Sequence, residues 1–109
     1  LGFAAVLAEA TACARRAGVD TDVLLQVLAK GGGGGVVFER LRPFIEARDD
    51  SGFRFTIANA LKDMGYYTAM AGERGATSVT ADAVRETYAR AARKHGGSTV
   101  PALIDLLSS

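Results

Sequence analysis

The sequence has few of the residues that build covalent or metal-based scaffolds. Its 109 residues contain one cysteine, Cys13, and one histidine, His95. A single cysteine excludes an internal disulfide framework and is consistent with a reducing, cytoplasmic compartment. His95 has no second histidine, cysteine or carboxylate at ligand spacing, so we expect no metal site. A chain of this length can nevertheless bury enough surface to fold without either kind of crosslink.

An excess of charge of one sign is also absent, as is any long apolar run. Lysines and arginines number 13 and aspartates and glutamates 12, which gives a net charge of +1. No large basic field therefore indicates a nucleic acid or an anionic membrane as a partner. The longest apolar run, residues 1–8, is far shorter than the roughly 18 residues that a membrane-spanning helix needs. We expect a soluble protein.

What the sequence does contain is helical spacing of apolar residues. No segment shows the alternation and β-branched enrichment of a strand, and no repeat of roughly 20 to 50 residues is visible. The pattern predicts one all-α domain over residues 1–109, built from about six helices. The predicted helices cover residues 1–17, 20–30, 37–45, 55–73, 80–95 and 101–107.

The first predicted helix is apolar on nearly every side. Such a helix is expected to be buried on nearly every side. Cys13 lies in this apolar helix, which favours a buried, inert thiol over a nucleophile. Gly18 follows at the position of a left-handed C-cap. If two copies of the domain pair through this helix, Ala5→Glu or Ala8→Glu should shift a dimer to a monomer.

Glycine, proline and capping residues predict the boundaries between helices. Gly31–Gly35 interrupt the pattern, because each glycine costs about 1 kcal/mol in a helix relative to alanine. We expect a flexible connection there and not a phosphate loop, since neither a preceding strand nor a following Gly-Lys-Ser or Gly-Lys-Thr is present. Asp20 and Thr80 are predicted N-caps and residues 49–52 a turn. Pro43 is expected to kink or break the third helix.

A polar face on the fourth predicted helix is the best candidate for a site. Asn59, Lys62, Asp63 and Tyr66 stand at i, i+3, i+4 and i+7, so their side chains gather on one surface of the helix. A lysine and an aspartate on a helix surface are more often solvated than functional. The tyrosine and asparagine on the same face, and Phe55 at the start of the helix, favour a functional role.

The order of several segments resembles the C-terminal domain of the β-hydroxyacid dehydrogenases, the family of 3-hydroxyisobutyrate dehydrogenase and tartronate semialdehyde reductase, which is related to 6-phosphogluconate dehydrogenase. The resemblance spans nearly the whole chain, and its most specific element is GFRF followed by LKD. The segments that carry it are AEATACARRAGVD, LLQVLAKG, FERLRPF, GFRFTIANALKDMGYYTAMAGERG and VRETYARAARKHGG.

The resemblance implies a role beside a nucleotide-binding domain. In that family an N-terminal Rossmann domain binds NAD or NADP, and the helical C-terminal domain supplies part of the substrate cleft and most of the homodimer contact. The reaction is hydride exchange with a 3-hydroxy acid or its semialdehyde. Carried over to this sequence, the family's motif lysine is Lys62, reaching the cofactor, with Asp63 beside it and Phe55 lining the cleft. Asn59 and Tyr66 are further cleft candidates.

The family's general acid/base is a different lysine, upstream at the start of the interdomain helix, so no catalytic residue is expected in this chain. Because the sequence opens within an apolar pattern without a start methionine, we expect a piece of a longer protein whose Rossmann domain lies outside it. The alternative is a non-catalytic helical module that keeps this scaffold for binding or homodimerisation. NAD versus NADP and the identity of the hydroxy acid stay open.

Overall fold

The protein folds into helices only. The computed structural model describes residues 1–108, and within that range it has no β-strand, only an isolated bridge between Thr56 and Thr99. The helices are α1 (Gly2–Arg16), α2 (Thr21–Lys30), α3 (Val36–Ala47), α4 (Ile57–Glu73), α5 (Val79–His95) and α6 (Leu103–Ser108), with a 3₁₀ turn at Val100–Ala102. The all-α prediction is confirmed. Across these 108 residues, no helix is both long and apolar enough to traverse a lipid bilayer.

Helix α1 occupies the centre of the arrangement. It contacts α2, α3, α5 and α6, and packs most extensively on α6, while α4 packs most extensively on α5. Small side chains let these neighbours approach, because the buried residues of α1 are Ala4, Ala5, Ala8, Thr11 and Ala12. Larger side chains from the other helices fill the core around them: Phe38, Leu41, Ile57, Tyr88, Val100, Leu103 and Ile104.

One side of α1 is nevertheless exposed, so the prediction of burial on every side was wrong. Phe3 and Val6 are 77% and 64% exposed, and Cys13, expected to be buried, is exposed as well. These positions lie on the side of the helix opposite the buried residues Ala4, Ala5, Ala8, Thr11 and Ala12, which face the packed neighbours. Ala5 and Ala8 lie in the core. A glutamate at either position would therefore disrupt folding and could not report on dimerisation.

The helix boundaries follow the predicted signals in part. Asp20 caps α2 as predicted, with its carboxylate accepting from the backbone N–H of Asp22 at 2.8 Å. Gly18 has the predicted positive φ of 77°. Thr80 was the wrong cap for α5, which begins at Val79 after Ser78. The Ser78 carbonyl accepts the Asp82 N–H at 2.7 Å, so the first helical bond starts two residues before Thr80.

Of the kink or break predicted at Pro43, the break does not occur. The helix continues through it to Ala47 and ends at Arg48, which adopts a left-handed conformation with φ 57°. A proline inside a helix removes one hydrogen bond to the carbonyl four residues earlier. That carbonyl belongs to Glu39, which is exposed, so solvent can replace the missing donor.

The C-terminal helix is held by charge as well as by apolar contacts. Asp105 of α6 pairs with Arg15 of α1 and with Arg48 after α3. The hydrogen bond from Arg48 and then that from Arg15 hold the pKa of the Asp105 carboxyl below its usual value, against the opposing effect of desolvation. The two ion pairs connect α6 to two neighbouring elements.

Candidate functional site

Backbone hydrogen bonds fix the beginning of α4, where the predicted site lies. The Ile57 N–H donates to the Ser98 carbonyl at 2.8 Å, and the Val100 N–H donates to the Phe55 carbonyl at 2.8 Å. The Thr56 hydroxyl oxygen caps the helix by accepting the Asn59 N–H at 3.1 Å. The segment that carries Phe55 is therefore tied to the chain between α5 and α6.

A second anchor holds the turn that precedes this segment. The Thr99 hydroxyl donates to the Asp50 carboxylate at 2.7 Å. Gly52 then approaches α3 so closely that a Cβ at this position would lie 2.8 Å from the Arg40 carbonyl oxygen. Only glycine fits such a contact between two backbones. The approach brings residues 52–55 alongside Arg40.

The face of α4 predicted from the spacing exists. Asn59, Lys62, Asp63 and Tyr66 are all exposed. The opposite side of the helix carries Ile57, which is buried, while Leu61 and Met64 are partly buried against the core. Because the apolar side of α4 packs against the core, its polar side faces outward, next to the anchored Phe55.

Two depressions meet at Asp63. The first has a volume of about 370 Å³, and the second, of about 480 Å³, lies between the starts of α1 and α5 and the middle of α4. The first is lined by Leu1, Arg40, Gly52, Phe53, Arg54, Phe55 and Asp63. The second is lined by Leu1, Gly2, Asp63, Met64, Tyr67, Thr80, Ala81 and Val84. The structure therefore brings Phe55 and Asp63 together across one concave surface.

The remaining predicted site residues lie outside these walls. Asn59, Lys62 and Tyr66 line neither depression. Lys62 precedes Asp63 by one position, so the two side chains leave the helix about 100° apart around its axis. Its ammonium has no hydrogen bond or ion pair to any residue in the range 1–108. It is therefore available to a group that approaches from outside this chain.

Four residues that line the depressions were not predicted from the sequence: two arginines, one residue at the start of α1 and one in the middle of α4. Arg40 and Arg54 line the first depression, and Leu1 and Tyr67 line its neighbour. A signal was present for the arginines, because Arg40 lies inside FERLRPF and Arg54 inside GFRF, two of the segments that carry the resemblance. Nothing in the local spacing indicated that a turn would bring the two segments together.

Tyr88 positions the start of α1 at the edge of the site. The side chain is fully buried, and its hydroxyl donates to the Leu1 carbonyl at 2.8 Å. Burial raises the pKa of the Tyr88 hydroxyl far above its ordinary value. The hydroxyl therefore stays protonated and serves as a hydrogen-bond donor, not as an acid or base.

The donor set of this surface is cationic and aromatic. Among residues 1–108, no group of three or more histidine, cysteine, aspartate or glutamate side chains could hold a metal ion. Arg40 and Arg54 present N–H donors in the first depression, where Phe55 presents an apolar wall. The Lys62 ammonium is exposed on the adjacent side of α4. Ammonium and guanidinium groups suit phosphate, carboxylate and ribose oxygens. The surface fits one end of a nucleotide or a small acid better than it fits a metal.

Comparison with known protein families identifies the class to which this helical domain belongs. The model of the family described as NAD-binding of NADP-dependent 3-hydroxyisobutyrate dehydrogenase matches residues 2–107. The chain belongs to this family, which confirms the predicted resemblance at the level of the family. No curated protein matches the chain.

Proposed function

We propose that this chain is the C-terminal helical domain of an NAD(P)-dependent β-hydroxyacid dehydrogenase and forms one wall of its active cleft. The observation that carries the proposal is the meeting of Phe55 and Asp63 across one depression, with the unpartnered Lys62 beside them. All three come from the GFRF and LKD segments, in a chain whose family binds NAD. The whole reaction would be hydride exchange with a 3-hydroxy acid or its semialdehyde.

In this proposal Lys62 is the residue that contacts the cofactor. The bound NAD or NADP supplies the hydride acceptor or donor. A lysine ammonium offers three rotatable donors on a flexible stem, so it can reach carboxylate, phosphate or ribose oxygens. Because no side chain of the described range pairs with Lys62, binding would not first have to break an internal ion pair. Asp63 can accept hydrogen bonds from hydroxyl groups at the same rim.

The general acid/base is expected outside this chain. By resemblance to the family it is a lysine upstream of α1, at the start of the interdomain helix. Leu1 lies beside Asp63 in both depressions, and the Tyr88 hydroxyl holds its carbonyl. A lysine that precedes α1 in the sequence would therefore lie close to Asp63 at the edge of the two depressions. The proposed partner that completes the cleft is a Rossmann domain, and this domain alone would not catalyse.

The proposal also includes a homodimer contact, which we place on the exposed apolar side of α1. Phe3, Val6 and Val36 are exposed around an apolar depression of about 510 Å³. The glycine run lines the same depression. At Gly34 a Cβ would lie 2.9 Å from the Ala29 carbonyl oxygen, so part of the run is needed for a tight connection between α2 and α3.

The central test is Lys62→Ala in the dehydrogenase that contains this domain. Loss of the ammonium should lower kcat/KM by roughly 10-fold or more, as expected for removal of a hydrogen bond to a charged group. Helix content measured by circular dichroism should not change, because Lys62 is exposed and unpaired. Lys94→Ala is the matched control, since Lys94 is an exposed lysine near the end of α5. Unchanged turnover and cofactor affinity for Lys62→Ala would remove this residue from the cleft.

A non-catalytic binding or homodimerisation module is the second candidate, and the exposed Phe3 and Val6 favour it. Its surface would serve association without hydride transfer. The upstream sequence of the native gene product separates the two candidates. A glycine-rich dinucleotide fingerprint and a lysine at the start of the helix that leads into α1 support the enzyme. Their absence supports the module.

A further inference from the structure

Two arginines from different elements line the same depression as Phe55 and Asp63. Arg40 belongs to α3, and Arg54 belongs to the segment before α4. Both are exposed, and neither forms a hydrogen bond or a salt bridge within the described chain. Hydrogen bonds from Ser51 lower the pKa of the Asp49 carboxyl, and the nearby positive charge of Arg54 contributes to the same shift. Arg42, two positions from Arg40 on the same helix, differs: its guanidinium pairs with Glu39 and Glu46.

The backbone under these two arginines is fixed by several contacts. The Gly52 approach places the turn against the Arg40 carbonyl. The hydrogen bond between Thr99 and Asp50, and that between Val100 and Phe55, hold the two ends of the segment that contains Arg54. Less backbone freedom therefore has to be lost when both guanidinium groups bind one ligand.

The chemistry of the depression selects its ligand. A guanidinium presents planar paired donors that match carboxylate and phosphate oxygens. Among the residues that line the depression, two guanidinium groups outweigh the one carboxylate of Asp63, so the lining itself carries a net positive charge. Asp63 can in turn accept a hydrogen bond from a hydroxyl of the ligand. The depression of about 370 Å³ also has an apolar wall formed by Phe53 and Phe55.

We propose that Arg40 and Arg54 form an anion subsite in this cleft, which binds a carboxylate or phosphate group carried next to a hydroxyl. The location of the subsite in a substrate cleft rests on the proposed function. Two sources supply this chemistry: the distal carboxylate of a hydroxy dicarboxylic acid, or the phosphorylated ribose of NADP. In the first case the enzyme accepts substrates with a second acidic group, and in the second it selects NADP over NAD.

Direct binding to the isotope-labelled full chain tests the subsite, with malate and adenosine 2′-phosphate as the probes. We expect amide chemical shifts to change around residues 40, 52–55 and 63, with an affinity that falls as salt is added. Arg40→Gln and Arg54→Gln should each weaken binding by about 10-fold. Arg74→Gln is the matched control, because Arg74 is an exposed arginine at the far end of α4 without an ion pair, and it should bind like the parent chain.

The outcome also identifies the source of the anion and separates this proposal from the proposed function. Tighter binding of malate assigns the subsite to a dicarboxylic substrate, and tighter binding of the adenosine phosphate assigns it to NADP. If neither probe shifts these amides, or if the arginine variants bind as tightly as the parent, the subsite is wrong even where Lys62→Ala abolishes turnover. If the probes bind through both arginines and Lys62→Ala leaves turnover unchanged, the subsite stands and the assigned role of Lys62 fails.

Discussion

A buried tyrosine links the core of the protein to the edge of its candidate site. Tyr88 belongs to α5, yet its hydroxyl reaches the Leu1 carbonyl before α1, 87 positions away in sequence. The sequence places Tyr88 in the YARA part of the segment VRETYARAARKHGG, which contributes to the family resemblance. The hydrogen bond gives this tyrosine a structural role, because it fixes the position at which the chain enters the central helix.

Tyr88→Phe should destabilise the fold by about 1 kcal/mol at neutral pH, the typical net value of one hydrogen bond. The effect should depend on pH. Burial raises the pKa of Tyr88 in the folded state, so its contribution is fully present below the unfolded pKa of about 10 and is lost as pH rises above it. Urea denaturation at pH 7 and above pH 10 measures both effects.

Tyr67→Phe is the control for this comparison, because Tyr67 is half exposed and its hydroxyl has no partner in residues 1–108. The parent chain should lose more stability at alkaline pH than Tyr88→Phe loses. Equal losses for the parent and for Tyr88→Phe would show that this hydroxyl does not titrate on unfolding, which would contradict the assigned burial.

At the scale of secondary-structure elements, the connection between α3 and α4 decides the shape of the site. Gly52 touches the backbone of α3, while Phe55 is hydrogen-bonded to the chain after α5. The segment between the two helices is thus held from both sides and presents Arg54 and Phe55 to the depression. The predicted turn at residues 49–52 was correct, but its contact partners are distant in sequence.

Gly52→Ala should destabilise the protein by about 1 to 3 kcal/mol, the usual cost of overpacking. The added Cβ would lie 2.8 Å from the Arg40 carbonyl oxygen, and neither backbone can move without disturbing its helix or turn. The same change should alter the amide chemical shifts of Phe55 and Asp63. Thermal unfolding and an amide correlation spectrum provide the two measurements.

Gly72→Ala should have the opposite effect to Gly52→Ala, because it should stabilise the protein. Gly72 lies in the last turn of α4, and a Cβ there meets no atom within 4 Å. Alanine should stabilise this helix by about 0.5 to 1 kcal/mol, because it loses less backbone freedom on folding. Stabilisation by both substitutions would mean that the turn moves away from α3 at no cost.

At the scale of the whole molecule, no other helix of the described domain covers the exposed apolar side of α1. Phe3 and Val6 extend this surface toward the glycine run and Val36. Apolar patches of this kind are typical of interaction sites. We interpret this one as the homodimer contact of the proposed function, and Val6 is the position at which a charge would test it without entering the core.

Val6→Glu should convert a dimer into a monomer in sedimentation equilibrium while the helix content stays constant. The matched control is Val79→Glu, because Val79 is 75% exposed at the start of α5, away from this surface. A glutamate there also suits the positive end of the helix dipole. A parent chain that is already monomeric would contradict the proposed homodimer contact, and a Val6→Glu variant that still dimerises would place that contact on another surface.

Local patterns determined the fold class and most of the helices of this protein. Helical spacing of apolar residues, glycines between helices and the Asp20 cap act over a few positions, so they can be interpreted without knowing what packs where. The same holds for the exposed face of α4 that carries Lys62 and Asp63. Its polar residues lie opposite Ile57, and this separation is a property of one helix.

Contacts between distant segments determined the features that local spacing could not predict: the buried side of α1 and the depression at Asp63. The sequence of α1 is apolar all around, and only the positions of its neighbours decided that Ala5 would be buried and Phe3 exposed. The depression at Asp63 likewise depends on Gly52 approaching α3 and on Leu1 being held by Tyr88. Periodicity specifies the face of a helix, whereas the three-dimensional path of the chain decides which faces meet, because packing joins residues that are far apart in sequence.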